Sequence, residues 1–178
     1  MVKKILLTLL AGVLLLAAAV GVNTARKGSR QLQVAPLAPV AVAEKAVAER
    51  LAEAVRLKTI SSRDDANLSA DQFKAFHALL QARFPKTHAA LKREVVADLS
   101  LLYTWEGADP KAKPILLLAH QDVVPVAPGT EGDWKYPPFA GTIADGAVWG
   151  RGTVDDKGSL VGLFEALDAL AKSGFKPK

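Results

Sequence analysis

Pro114-Ile115-Leu116-Leu117-Leu118-Ala119-His120-Gln121-Asp122-Val123-Val124-Pro125 is the stretch on which the reading of this chain turns. The run 114–119 is apolar without interruption and then breaks into His-x-Asp. Such a run predicts a central strand covered on both faces. Sites in open α/β sheets form at the carboxyl ends of strands, which is where His120 would stand. A neutral imidazole there can ligate a divalent metal. Asp122 can accept a hydrogen bond from the other ring nitrogen, fixing the tautomer and raising the ligand's basicity. Taken alone, His-x-Asp is more often a structural histidine at a strand end than a metal ligand.

Downstream lies Gly150-Arg151-Gly152-Thr153-Val154-Asp155-Asp156-Lys157-Gly158. One of the two aspartates suits the N-cap of the helix that follows, where a carboxylate satisfies free backbone N–H groups. The other can reach a metal. A carboxylate shared by two cations about 3.5–4 Å apart is a common way to build a two-metal site. The glycine turn is not a phosphate loop, because Asp156 stands where that pattern needs glycine before Lys157. A helix should run from Asp156 or Lys157 to about Lys172, with Leu160, Leu163, Phe164, Leu167 and Leu170 as its apolar stripe and Gly174 past its end. Asp145-Gly146 between 141–144 and 147–149 signals a hairpin. The loop 125–138 is rich in Pro and Gly, and Trp134, Pro137, Pro138 and Phe139 should cover the end of the His-x-Asp strand.

Upstream, 43–57 has helical spacing with charges on the opposite face. Thr59 to Asn67 is polar and should be a loop. Ser69 can cap a second helix, 70–83, whose buried stripe is Phe73, Phe76, His77 and Leu80, with Pro85 just beyond it. Strands are expected at 94–97 and 101–105, and a turn at 107–113. The alternation of strands and helices gives an α/β class. His77 and His88 are expected to be structural or exposed. Ser159 has no histidine near it in sequence and no Gly-x-Ser-x-Gly elbow exists, so serine hydrolysis is poorly supported.

Residues 5–22 carry no charge and follow Lys3 and Lys4. The stretch is near the roughly 20 apolar residues that span a bilayer. It is either a signal peptide, with Ala17-Ala18-Ala19 as a small-residue cleavage pattern, or a retained anchor. The anchor is favoured because the apolar run continues through Val20 and Val22. Residues 23–42, with Gly28, Pro36 and Pro39, read as a linker, and 43–178 as the folded part. The net charge is +5. Lys3, Lys4, Arg26, Lys27 and Arg30 flank the apolar stretch, which suits membrane insertion, and no basic stripe interleaved with aromatics points to nucleic acid. There is no cysteine, which excludes disulfides and thiolate metal sites.

The stretch 114–158 resembles the M20 family of metallopeptidases, and the resemblance in all covers about residues 43–178. The resemblance rests on Leu118-Ala119-His120-Gln121-Asp122-Val123-Val124-Pro125, on Trp134 with Pro138-Phe139, and on Gly150-Arg151-Gly152-x-x-Asp155-Asp156-Lys157-Gly158. Lys58-Thr59-Ile60-Ser61, Phe84-Pro85 and Leu102-Tyr103-Thr104-Trp105 extend it toward the carboxypeptidase S and N-acyl-amino-acid hydrolase branch. It implies a three-layer αβα catalytic domain with a mixed sheet. It implies two zinc ions per complete site, for which cobalt or manganese could substitute. His120 would ligate one zinc, Asp122 would orient His120 as part of the catalytic apparatus, and Asp155 would bridge both metals. The reaction would be hydrolysis of a peptide or N-acyl-amino-acid amide by metal-activated water, on the exported side of a membrane. The family pattern continues with a strand ending in paired glutamates, a further acidic ligand and a distant histidine. None of these falls within the sequence, so the expectation is the N-terminal portion of such a domain, inactive alone and with an exposed sheet edge. The alternative expectation is a membrane-tethered, non-catalytic binding domain or pseudo-enzyme of the same fold.

Overall fold

The computed structural model describes residues 1–36, 38, 41–62 and 69–178. Part of the expected linker (37, 39 and 40, with Pro39) and most of the expected loop (63–67) lie outside the described residues. The chain divides into two units, Met1–Val40 and Ala41–Lys178.

In the first unit, α1 (Val2–Arg26) is one continuous helix with no buried residue. It runs past the apolar stretch into the first residues expected to be linker. Twenty-five residues at about 1.5 Å each exceed the roughly 30 Å hydrocarbon layer. Its most apolar window has mean hydropathy 2.7. By length and composition it can cross a membrane, a property that signal sequences share.

The second unit holds α2 (Glu44–Arg56), α3 (Ala70–Arg83), α4 (Pro85–Ala90), β1 (Lys92–Val96), β2 (Ser100–Thr104), β3 (Thr142–Ala144), β4 (Ala147–Trp149) and α5 (Lys157–Lys172). Pro85 does not merely follow α3. It opens α4, where its fixed φ and missing N–H cost nothing at the first helical position. Ser69 occupies the N-cap position of α3 without a side-chain cap hydrogen bond. β1 and β2 form an antiparallel hairpin from Lys92↔Thr104 to Val96↔Ser100. Its turn uses positive φ at Ala97 (48°) and Asp98 (66°), a turn without the glycine that makes such turns visible in sequence. β3 and β4 pair around Asp145 (φ 53°) and Gly146 (φ 73°), the two left-handed residues a type I′ turn demands.

The core lies between α5 and the helices before it. Phe76, Leu80, Phe84, Leu160, Val161, Phe164 and Ala54 form the cluster. Phe164 meets Phe84 at 5.2 Å and stands edge-on to Tyr103 at 5.2 Å. The expected stripe of α3 (Phe73, Phe76, His77, Leu80) is the buried face. On α5 the buried face is rotated from the expected leucines: Lys157, Leu160, Val161, Phe164 and Asp168 are buried, while Leu170 is exposed. Two charged residues sit on that face because each completes another helix. Lys157 Nζ donates to Ala54 O (2.8 Å) and Leu57 O (2.6 Å), the free carbonyls at the end of α2, where the helix dipole favours a cation. Asp168 Oδ1 accepts from the Lys86 and Thr87 N–H groups (both 3.0 Å), the free donors at the start of α4. Burial alone would raise the Asp168 pKa, but hydrogen bonds from Lys172, Thr87 and Lys86 pull it below the ordinary carboxylate value. Arg50 and Glu165 add a paired contact between α2 and α5. At its far end α5 closes in a Schellman motif: Phe175 N–H donates to Leu170 O, Gly174 N–H donates to Ala171 O, and Gly174 takes φ 75°.

The run 114–119 departs from expectation. It forms no ladder, and Ile115, Leu116, Leu117 and Leu118 are 88%, 72%, 56% and 78% exposed. A central strand is buried only when strands pair on both edges and helices cover both faces. Among the described residues no strand lies beside this run, and the single parallel bridge, Ile60↔Val123, begins after it. The apolar pattern survives; the neighbours that would bury it are not supplied here.

Lys157 is fully buried, and burial pushes its ammonium down to about 8 from the ordinary 10.5. A depressed lysine pKa means the unfolded chain holds more protons between those two values. The stability from the neutral amine is fully present above 10.5 and is lost as pH falls through about 8. Unfolding free energy should therefore rise by something on the order of 3 kcal/mol from this group as pH climbs through that window. Lys157→Met should remove the rise. Urea denaturation of both proteins from neutral pH to 10.5 checks it, and parallel pH curves for the two would contradict it.

Candidate metal centre

Two segments converge on the site, and each is held in place by ordinary backbone chemistry. The first is His120-Gln121-Asp122-Val123. Val123 N–H donates to Thr59 O (2.8 Å) and Ser61 N–H donates to Val123 O (3.2 Å), which is the one parallel bridge. Thr59, fully buried, donates its hydroxyl to Gln121 O at 2.6 Å. The Gln121 side chain turns inward, accepting from His77 Nε2 at 2.9 Å and donating to Leu99 O. Gln121 thus points into the core while His120 and Asp122 point out, as alternation along an extended chain requires.

The second segment is the loop between β4 and α5. Arg151 N–H donates to Pro138 O (2.6 Å) and Lys157 N–H to Gly152 O (3.0 Å). Gly152 has φ 85°, and a side-chain carbon there would come within 2.6 Å of Val123 Cγ1. Only glycine lets the two segments approach this closely. The Asp155–Asp156 peptide is cis.

Where the segments meet, His120 Nε2 lies 2.8 Å from Asp155 Oδ1. His120 Nδ1 lies 3.1 Å from Asp122 Oδ1 and 3.0 Å from Asp122 O. Asp122 Oδ2 in turn accepts from the Ser61 hydroxyl. Asp156 sits at the N-cap of α5 but makes no side-chain cap bond to its backbone; its Oδ2 accepts from the His120 N–H at 3.2 Å. Hydrogen bonding by Ser159, which outweighs slight burial, and by His120 holds its pKa below the ordinary value. The Asp155 carboxylate raises the His120 pKa; partial burial opposes this, and the Asp122 carbonyl and both aspartate charges reinforce it. Asp155 is 87% exposed along its side chain, so its carboxylate faces solvent. The three sites named from sequence, His120, Asp122 and Asp155, are therefore neighbours. Ser61 and Gln121, which position them, were not picked out by sequence reasoning, whereas Asp156 was, as one of the two aspartates before the helix. The signal for Ser61 was the Thr59-Ile60-Ser61 stretch, read there only as loop and as resemblance.

His77 and His88 lie apart from this cluster. His88 Nδ1 donates to Phe84 O (2.9 Å), and its Nε2 pairs with the Tyr103 hydroxyl (2.9 Å). Desolvation pulls the His77 pKa below its ordinary value. Both serve the core.

An imidazole nitrogen and a carboxylate oxygen are the donors that hold zinc in hydrolytic sites. Here they converge on one point, with a second carboxylate behind the ring, so the donor chemistry fits a divalent ion. Among the described residues no group of three or more His, Cys, Asp or Glu side chains is disposed to hold an ion. The site opens into a cleft of about 290 Å³ lined also by Trp134, Arg151 and Thr153.

Residues 116–178 match the model of peptidase family M20/M25/M40. This segment belongs to the M20 peptidases. Probable carboxypeptidase S-like 2 of Dictyostelium discoideum is 40% identical over 100% of the chain and 35% of its own length. Carboxypeptidase S of Saccharomyces cerevisiae is 46% identical over 72% of the chain and 24% of its own length. An N-fatty-acyl-amino acid synthase/hydrolase of Xenopus tropicalis is 37% identical over 75% and 26%. The chain thus spans about a third or less of these curated relatives. Human carnosine dipeptidase 1 superposes with a TM-score of 0.55 at 21% identity, covering 75% of the chain and 30% of the dipeptidase. An M20 metallo-carboxypeptidase of Sulfolobus solfataricus gives 0.52 at 22%, covering 72% and 28%. The fold is that of part of the mixed α/β M20 catalytic domain, preceded by an apolar helix.

In metal-free protein the His120 ring should titrate above 6.5, and Asp155→Asn should return it toward that value. A raised folded-state pKa adds stability that is complete below the unfolded value and is lost as pH rises through the folded one. NMR titration of the imidazole protons checks this; an unmoved midpoint in Asp155→Asn would refute the pairing.

Proposed function

We propose that the M20 segment forms part of a metal-dependent hydrolase that cleaves peptide or N-acyl-amino-acid amide bonds and releases an amino acid with a free carboxylate. The observation that carries this is the convergence of His120 Nε2 and Asp155 Oδ1, with Asp122 on the opposite ring nitrogen. His120 and Asp155 would hold the metal in place of the hydrogen bond that joins them. A bound zinc ion, or cobalt or manganese in its place, lowers the pKa of water to near neutrality and polarises the amide carbonyl. Asp122 keeps the proton on Nδ1, leaving the Nε2 lone pair for the ion, and Ser61 fixes Asp122 in turn. The exposed carboxylate of Asp155 has room to bridge to a second ion. The relatives named as carboxypeptidases and as an N-fatty-acyl-amino acid synthase/hydrolase support amino-acyl amides as the substrate class.

The exposed, apolar α1 supports export or anchoring of the folded part on the far side of a membrane. A second reading, a tethered non-catalytic domain of the same fold, is favoured by the two-donor set among the described residues.

Zinc titration of metal-free protein tests the metal site on which the hydrolase reading depends. One bound ion or more is expected, with affinity at least about tenfold weaker in His120→Ala and Asp155→Ala. Asp122→Asn should weaken it by about 10–100-fold, the usual cost of losing a ligand's orienting partner. Equal affinity in all four proteins would end the assignment. For α1, alkaline extraction of membranes should leave the protein in the pellet with its N-terminus intact. Release into the supernatant with a new N-terminus near Ala19 would show a cleaved signal instead.

A further inference from the structure

The segment that carries His120 sends one polar side chain into the core, and the core meets it with partners from two distant elements. Gln121 Nε2 donates to Leu99 O, in the connection between β1 and β2. A backbone carbonyl only accepts, so the amide nitrogen must face Leu99 and the amide oxygen must face the other partner. That partner is His77 Nε2 on α3, 2.9 Å away, which therefore carries a proton and donates it. His77 is buried on a helix face otherwise made of Phe73, Phe76 and Leu80. A polar ring in that stripe costs free energy unless it is partnered. The partner it finds is the residue next to His120 in the chain.

What this contact decides is direction. An extended chain alternates its side chains, so a segment with Gln121 inward presents His120 and Asp122 outward, and a rotation that releases Gln121 turns both away. Upstream of His120, residues 114–119 make no ladder among the described residues. Downstream, Val123 is tied to Thr59 and Ser61, and the Thr59 hydroxyl donates to Gln121 O. Those bonds hold the main chain and leave the Gln121 side chain to His77 and Leu99. The His120 N–H bonds to Asp156, but that contact forms only when the segment already faces the loop before α5.

We propose that His77 is a positioning residue for the metal site: by holding the Gln121 amide in the core, it turns His120 and Asp122 toward the Asp155 loop. The proposal rests on the metal-dependent reading, since what His77 positions is a proposed ligand and the carboxylate that orients it. His77 acts at one remove and holds no ion itself. Its loss leaves the Gln121 oxygen buried without a donor, a penalty relieved by swinging that side chain toward solvent. The swing carries His120 and Asp122 out of line with Asp155.

Zinc alone, titrated into the full metal-free chain, tests this. His77→Leu keeps the stripe apolar and removes the donor. It should bind zinc about tenfold more weakly, the low end of the roughly 10–100-fold that a ligand's outer partners are worth. His77→Gln, whose side-chain NH2 can stand where Nε2 does, should restore the parent's affinity. Gln121→Met, at a half-buried position, should show the same loss even where His77→Leu does not fold. The double variant should lose no more than either single one, the sign of one shared interaction. Phe84→Leu, a core change at the end of α3, should lower the urea midpoint and leave zinc affinity unchanged, which separates positioning from stability. Parent-like affinity in folded His77→Leu or Gln121→Met overturns the proposal and leaves the metal reading standing. So do losses that add in the double variant, no recovery in His77→Gln, or an equal loss in Phe84→Leu. A parent chain that binds no zinc overturns the metal reading and the proposal together.

Discussion

Helix α5 carries a buried charge near each end, and each completes a helix other than its own. Lys157 closes the carboxyl end of α2, and Asp168 closes the amino end of α4. A charge in a protein interior is expensive unless fully paired, and free helix ends are expensive unless capped. Each penalty offsets the other, and the joint solution exists in one relative placement of three helices. Apolar packing around Phe76, Phe84 and Phe164 contributes the bulk of the driving force, but it would tolerate rotation of α5. The two charges do not, which is why the buried face of α5 includes Lys157 and Asp168 with Leu160 and Phe164 and leaves Leu170 exposed.

That constraint reaches the site within two residues. Lys157 is pulled under α2, and Asp155 and Asp156 are the residues just before it, so they emerge where the helix begins. Gly152 lets this loop press on Val123, and Val123 is tied to Thr59 and Ser61. His120 and Asp155, distant in sequence, meet because both of their segments are pinned to the same end of α2 and the residues that follow it. Ser61 and Gln121 do not face an ion, yet they set the direction of Asp122 and His120. The same loop, with the end of β4 before it, also places Arg151 beside Trp134.

Much of this was legible residue by residue. The stripe of α3, the Asp145-Gly146 turn, the span of α5 and its Gly174 terminator follow from periodicity and turn chemistry, which are local. The Ala97-Asp98 turn was hidden because neither residue is glycine or asparagine, and α4 because a proline after a helix reads as a stop before it reads as a start. The run 114–119 was legible only as apolar. Burial is a property of neighbours, and these leucines are exposed where strands do not flank them.

Sequence by itself singled out His120, Asp122 and Asp155 as candidates, because imidazole and carboxylate beside glycine turns are a choice of residue type that no packing alters. It determined the apolar helix at the N-terminus for the same reason, since hydropathy is additive along a chain. Tertiary structure alone set the Asp155 carboxylate against His120 Nε2 and the Asp156 carboxylate on the His120 N–H, and placed Ser61 behind Asp122. It also decided that Lys157, of a residue type usually found at the surface, is fully buried. Those outcomes depend on distances between segments far apart in the chain, and no local pattern contains them.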